Sequence, residues 1–308
     1  MLIERIVIIR DKTSLEQLIE RFNSKGQARF YIESSGGSFQ EYEEEHDTFY
    51  QALNTAEAYF TKKYKVKIIQ RSFLPTYIFG ETDMVVVIGQ DGLVANTAKY
   101  VGNKEVLSIN PDVKRYDGIL LKSDLLNFRK VFESYLNGQA VIKEVTIAKA
   151  RLNDGQELLA FNDFYIGAAS HISSRYKVRF GNYEERQSSS GIIISTGAGS
   201  TGWLSSVFNM ANNINGLLKR SVKSKCFGLE WEDKRLLFVI REPFKSKISD
   251  TSLGCGIIEG EDTLEIESLM PEKGVIFSDG IESDFIHFNT GARVSIGIAD
   301  QRARLISA

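Results

Sequence analysis

The run Gly191-Ile192-Ile193-Ile194-Ser195-Thr196 reads as a buried strand, and it empties into Gly197-Ala198-Gly199-Ser200-Thr201-Gly202-Trp203 before the chain turns helical from Leu204 to about Asn213. A strand that feeds a glycine- and hydroxyl-rich turn opening a helix leaves unpaired backbone N–H groups facing whatever lies above the turn. An anion or a ribose suits that place, which points to a nucleotide. Gly197, Gly199 and Gly202 also spell G-x-G-x-x-G, the fingerprint of a dinucleotide fold of Rossmann type. The context argues against that fold. The fingerprint belongs in the first strand-turn-helix of a parallel unit, whereas here it sits almost two-thirds along the chain, between strand-like segments at 176–180 and 235–241. A plain structural turn stays open as the competing reading of these glycines.

A second glycine turn weighs against that plain reading. Asp83-Met84-Val85-Val86-Val87-Ile88 is an unbroken apolar run of the kind buried on both faces of a parallel sheet, and it ends in Gly89-Gln90-Asp91-Gly92 before a helical stretch to about Val101. Open α/β sheets place their ligands at the carboxyl ends of such strands. Asp91 is thereby exposed to chemistry, with a helix-capping turn residue as its plainer alternative.

These residues resemble the NAD kinase family, within the wider group that includes the diacylglycerol and sphingosine kinases. The family pattern is a strand followed by Gly-Gly-Asp-Gly-Thr, then an Asn-Glu pair, then a Ser-Thr-Pro-Thr-Gly-Ser-Thr-Ala-Tyr-like segment, and near the end a short Asp-Gly. Here the matching places are Gly89-Gln90-Asp91-Gly92-Leu93, Asn162-Asp163, the segment from Ser195 to Trp203, and Ser278-Asp279-Gly280, all in the family's order. The chain is most similar to the divergent, mitochondrial-type branch, through Asn110-Pro111-Asp112, Ile166-Gly167, Ser173-Ser174-Arg175 and the Trp203 that closes the second glycine turn. The match spans roughly residues 80 to 300. There are departures. Gln90 stands for a glycine, Leu93 for a threonine, Asp163 for the usual Glu, Ser190 for an Asp in most of the family, and Ala198 for a hydroxyl residue.

The resemblance implies transfer of a phosphoryl group from ATP or polyphosphate to the 2′-hydroxyl of NAD, giving NADP, with magnesium neutralising the donor's oxygens. It implies Asp91 as acceptor of the hydroxyl proton, and Gly89, Gln90 and Gly92 as the donor's phosphate cradle. Asn162 and Asp163 would hold the dinucleotide, with Ser190 on its nicotinamide side and Thr196, Ala198, Thr201, Gly202 and Ser206 along it. Trp203 either stacks on a ligand ring or serves as a core aromatic, and Arg241-Glu242-Pro243-Phe244 reads as a structural turn. Two other readings are a lipid kinase of the diacylglycerol type and a non-catalytic NAD(P)-binding sensor that has lost its donor site.

Periodicity supplies the layout. The first residues read as a buried strand rather than a signal peptide, and Ser14 with Gln17 reads as a capping box opening an amphipathic helix. A long helix follows over about 40–63, with a solvated acidic start at Glu41 to Glu45 and a solvent-facing His46. Strands at 65–70, 83–88 and 105–109 alternate with helical segments, one of them over about 123–135, which marks a mostly parallel sheet. From Val141 onward short strand-like runs are broken by turns, so the second domain reads as β-rich. The fold class is therefore an α/β domain over residues 1–138 plus a β-rich, dinucleotide-binding domain over 139–308, the ligand lying between them.

Composition closes off other classes. A net charge of −2 lacks the basic footprint of a nucleic-acid binder. His46, His171 and His287 have no ligand spacing, and Cys226 and Cys255 read as small buried residues, so neither a metal site nor a disulfide framework is expected. No apolar run is long enough to span a bilayer. The expectation is a cytoplasmic protein with Lys219 to Lys225 as a solvated loop, and the family resemblance implies small nucleotides as partners and assembly with copies of itself as a dimer or tetramer.

Overall fold

The computed structural model describes residues 2–218 and 228–307, so the Lys219 to Lys225 segment and Cys226 lie outside the described residues. The chain divides into two compact units, Met1–Lys143 with Arg304–Ala308, and Glu144–Ala303.

The first unit runs β1 (Arg5–Arg10), α1 (Ser14–Phe22), α2 (Lys25–Ser34), α3 (Phe39–Phe60), β2 (Lys65–Gln70), β3 (Asp83–Ile88), α4 (Asp91–Tyr100), β4 (Glu105–Asn110), β5 (Ser123–Asp124) and α5 (Phe128–Leu136). The strands pair in parallel in the order β2-β1-β3-β4, with β5 parallel to β4 beyond them. Parallel pairing follows from helical crossovers, which cover the sheet faces and leave β3 buried at every residue. On α3, Phe49, Leu53, Ala56 and Phe60 recur at helical spacing and pack on Met84, Val86 and Ile88. Phe128 and Phe132 of α5 complete that layer, with Phe60 edge-on to Phe132 at 5.1 Å between ring centroids.

Several local expectations are corrected. The cap of α1 is Thr13, whose hydroxyl accepts from the Glu16 N–H while the Glu16 side chain accepts from the Thr13 N–H; Ser14 is the first helical residue. Residues 123–127 form a short strand and a turn in which Asp124 Oδ1 accepts from the Leu126 and Asn127 N–H groups, so α5 starts only at Phe128. Glu45 is buried and accepts from the Ser14 N–H at 3.1 Å, and His46 Nδ1 lies 2.8 Å from the Thr13 hydroxyl, so neither faces open solvent. Cys255 is exposed.

The second unit contains β6 (Val141–Leu152), β7 (Glu157–Ala160), β8 (Asp163–Ala168), β9 (Ser174–Phe180), β10 (Tyr183–Ser189), β11 (Ile192–Ser195), α6 (Trp203–Leu217), β12 (Arg235–Ile240), β13 (Cys255–Glu259), β14 (Leu264–Ser268), β15 (Gly274–Ser278), β16 (Ile281–His287) and β17 (Arg293–Ser307). One antiparallel sheet has the order β13-β12-β11-β8-β15-β16. Strands β10, β9, β14 and β17 form a second antiparallel run. Inward residues of the two, among them Phe164, Ile192 and Phe238 from one and Tyr176, Val178 and Ile266 from the other, make a single apolar core. Strand β17 ends in the first unit, where Arg304 and Leu305 pair parallel with Glu105 and Val106.

Candidate functional site

In the first unit the buried β3 delivers the chain to Gly89, and Gln90 has the extended backbone that precedes α4. A Cβ on Gly89 would stand 2.8 Å from the Leu93 side chain, so the glycine lets Leu93 tuck back beneath the turn, where it is buried. The carboxylate of Asp91 accepts from the Ile119 N–H at 3.0 Å and the Leu120 N–H at 2.8 Å. It therefore fastens the crossover after β4 to the start of α4. Gln90 is exposed, and its side chain hydrogen-bonds the Tyr116 hydroxyl. Gly89, Gln90 and Gly92 line a cavity of about 200 Å³ together with Lys12, Arg71 and Tyr116.

In the second unit the sheet register brings three distant motifs together. Asp163 at the start of β8 stands opposite Ser195 at the end of β11, and Phe164 stands opposite Ser278 at the end of β15. The Asn162-Asp163 pair, the turn from Ser195 to Trp203 and Asp279-Gly280 thus share one edge. Asp279 holds them: it has a left-handed backbone, φ 56°, and its carboxylate accepts from three consecutive N–H groups, of Phe161 at 3.1 Å, Asn162 at 2.6 Å and Asp163 at 3.3 Å. Its own N–H returns a bond to the Asp163 carbonyl at 2.9 Å.

The glycines of the second turn make room for backbone. A Cβ on Gly197 would fall 1.9 Å from the Glu230 carbonyl oxygen, and one on Gly199 would fall 2.1 Å from that of Asn162. Thr196 is completely buried, and its hydroxyl donates to the Phe161 carbonyl at 2.6 Å; it braces the Asn162 segment from beneath. Ala198 is half-buried, while Thr201, Gly202 and Ser206 are exposed around the opening of α6, which has no side-chain cap. Trp203 stacks on Tyr165 at 5.7 Å between centroids, and the Arg241 guanidinium sits 5.3 Å from the Trp203 ring. Ser190 is tied to the same group, its carbonyl accepting from the Tyr165 hydroxyl at 3.3 Å. Gly191, at φ 102°, is required there because a Cβ would lie 2.6 Å from the Tyr165 ring. Asp279, Tyr165 and Arg241 thus carry structural weight at this edge. Only the Asp-Gly pair signals it in the sequence.

Asp163 is the electrostatic anomaly. Its side chain is buried, and among the described residues no hydrogen bond reaches its carboxyl group. Burial first, and the like charge of Asp279 second, push its pKa up to about 7. The unfolded-state value is about 4. The folded protein thus favours the protonated form, a stabilisation fully present below about pH 4 and lost as pH rises through about 7. Asp163→Asn, which is neutral at every pH, should raise the stability of the ligand-free protein by about 3–4 kcal/mol at pH 8 and by only about 1–2 kcal/mol at pH 5. Urea melts at the two pH values measure this; an equal shift at both would overturn it.

Among the described residues no group of three or more His, Cys, Asp or Glu side chains could hold a metal ion. Among the described residues no helix is long and apolar enough to cross a membrane.

No protein-family model matches the chain. A curated protein, the NAD kinase of Geobacter metallireducens, is 28% identical over 127 residues, which are 39% of this chain and 44% of that protein. The match thus covers less than half of that relative's length. Among solved structures, yeast NADH kinase complexed with NADH superposes with a TM-score of 0.63 at 14% identity, covering 100% of this chain and 84% of that one. An NAD kinase from Archaeoglobus fulgidus in complex with ATP superposes with a TM-score of 0.56, also at 14% identity, covering 98% and 93%.

Proposed function

We propose that this chain, which has the fold of the NAD kinases, transfers a phosphoryl group from ATP or polyphosphate to the 2′-hydroxyl of NAD. The observation that carries the reading is the meeting of Asn162-Asp163, the Ser195–Trp203 turn and Asp279 at one edge, on a fold shared with an enzyme solved with NADH. Asn162 and Asp163 hold the dinucleotide by accepting its ribose and adenine donors, and Ser190, Ala198, Thr201, Gly202 and Ser206 lie along it.

In the reaction the ribose 2′-oxygen bonds to the terminal phosphorus as the bridging P–O bond to the donor breaks. The hydroxyl proton passes to Asp91, oriented by its two backbone donors. Gly89, Gln90 and Gly92 line the donor's phosphates. Magnesium, usually bound by one or two carboxylates together with substrate phosphates, would enter with the donor's phosphates as part of the substrate. The reading carries with it the homo-oligomeric assembly that the family resemblance implies and the cytoplasmic setting expected from the sequence.

The test is incubation with NAD or NADH, magnesium, and either ATP or polyphosphate, the phosphorylated product being detected by an NADP-specific dehydrogenase. Product from at least one donor is expected. Tight NAD binding without product under any donor would instead identify a sensor.

A further inference from the structure

The parallel sheet of the first unit brings the ends of three strands together. Arg10 is in register with Gln70 on one side and with Ile88 on the other, so the residues that follow, Asp11, Arg71 and Gly89, leave the sheet side by side. The chain passes from β1 to β2 on one flank and then returns to β3 on the other, which makes the β1–β3 crevice the place where the strand order reverses. Open α/β sheets bind their ligands at that point, beyond the carboxyl ends of the strands. The cavity of about 200 Å³ lies there, lined by Asp11, Lys12 and Arg71 as well as by Gly89, Gln90 and Gly92. It is smaller than the roughly 300 Å³ at which pockets for whole drug-sized ligands begin. A section of a phosphate chain fits it better than a whole nucleotide.

The polar groups around the cavity are unequally occupied. Lys12 Nζ is bound to Glu20 at 2.6 Å, on the surface of α1. Glu45 accepts from the Ser14 N–H and from the Tyr116 hydroxyl. Asp11 accepts from the Lys12 N–H on Oδ1 and from Arg71 Nη1, at 3.0 Å, on Oδ2. Among the described residues that is the one hydrogen bond the half-buried Arg71 side chain makes. Asp11 follows β1, one strand nearer to Gly89, so the pair draws the guanidinium from the end of β2 toward the crevice. The edge formed by Nε and Nη2 is left open. It presents two parallel N–H donors, the geometry that matches two oxygens of one phosphate.

Taking the phosphotransfer reading as its premise, we infer that Arg71 binds the phosphoanhydride chain of the donor through Nε and Nη2, across the crevice from Gly89–Gly92, with Asp11 as its positioning residue. The donor class is a nucleoside triphosphate or an inorganic polyphosphate, which share that chain. Two strand spacings, about 10 Å, separate the backbones of residues 71 and 89. An arginine side chain and one phosphate group span that gap together. Arg71 forms and breaks no covalent bond; it orients the chain and offsets its charge.

The test compares wild type, Arg71→Met, Arg71→Lys and Asp11→Asn by calorimetric titration with ATP, tripolyphosphate and NAD in the presence of magnesium, alongside steady-state kinetics. Arg71→Met should weaken donor binding about 10–100-fold, as expected for loss of a charge-assisted pair, and leave the NAD dissociation constant within about twofold. Arg71→Lys keeps the charge but loses the fork, so its loss should be smaller. Asp11→Asn separates a binding role from a structural one. Its amide oxygen still accepts from Nη1 while a like charge leaves the surroundings of the phosphates, so donor binding should tighten about two- to fivefold. An ion pair that served structure alone would instead lower the melting temperature when either partner is replaced and leave donor affinity unchanged. That result overturns the inference, as does an equal loss of donor and NAD binding in Arg71→Met. Equal weakening for ATP and tripolyphosphate supports a subsite for the shared chain; weakening for ATP alone would place Arg71 on the nucleoside and overturn it. If Arg71→Met does not fold, Arg71→Lys and Asp11→Asn decide by the same readouts. A wild type that binds donor but makes no product would refute the phosphotransfer reading while the binding comparison still decides the Arg71 subsite; a wild type that binds no donor refutes both.

Discussion

Asp91→Asn should reduce turnover by about 10²–10⁴-fold, the range for loss of a positioned general base. The substitution keeps the shape of the side chain but not its bonding. Each carboxylate oxygen now accepts one backbone N–H, from Ile119 and Leu120, whereas an amide offers only one oxygen and sets its NH₂ against the other donor. A local cost of about 1–3 kcal/mol is therefore expected as well. Separate readouts distinguish the two effects: a modestly lower urea midpoint with NAD affinity kept within a few-fold, and a collapse of turnover far beyond what the stability change explains. Full activity in Asp91→Asn would show that the carboxylate only fastens the crossover to α4.

The second large effect is on folding. Gly199→Ala places a methyl 2.1 Å from the Asn162 carbonyl oxygen, and Gly197→Ala places one 1.9 Å from that of Glu230. Relief by movement is blocked at Asn162, whose carbonyl accepts from the Thr196 N–H at 2.9 Å while its own N–H is held by Asp279 at 2.6 Å. Each variant should lose at least about 3 kcal/mol of stability, beyond ordinary overpacking, because backbone rather than a side chain would have to yield. Gly202→Ala is the control, since its nearest contact would be 3.4 Å, with the Gly199 carbonyl. Wild-type urea stability in Gly199→Ala would refute this account of the turn.

Much of the frame is legible in the sequence, because it rests on patterns that physics forces to be local. The continuous apolar run of β3 needs a sheet covered on both faces, and the helical spacing of Phe49, Leu53, Ala56 and Phe60 needs a helix over that sheet. Where such patterns fail, so does the reading. Helix α2 buries only Ala28 and so carries no apolar stripe to betray it. The cap of α1 slips by one because Thr13 and Ser14 are both capping residues, and the choice falls to Glu16, which reaches back to the Thr13 N–H at 2.8 Å. At the site the order of the motifs is visible, but not which side chains hold the place together. Asp279 bonds residues more than a hundred positions away, and Thr196 looks as available as Thr201 until its burial beneath Asn162 is seen.

The three N–H groups gathered by Asp279 have a consequence for how such a chain can change over time. Because a single carboxylate from the turn after β15 and the clearances of two glycines set the path of residues 161–163, the side chains that project from that path carry little of the burden of keeping it. Asp163, Ser190 and Ala198, all departures from the commonest family pattern, project from this frame or flank it. Mutational drift can therefore retune ligand preference at those positions one residue at a time, while selection against unfolding concentrates on Asp279, Gly197 and Gly199.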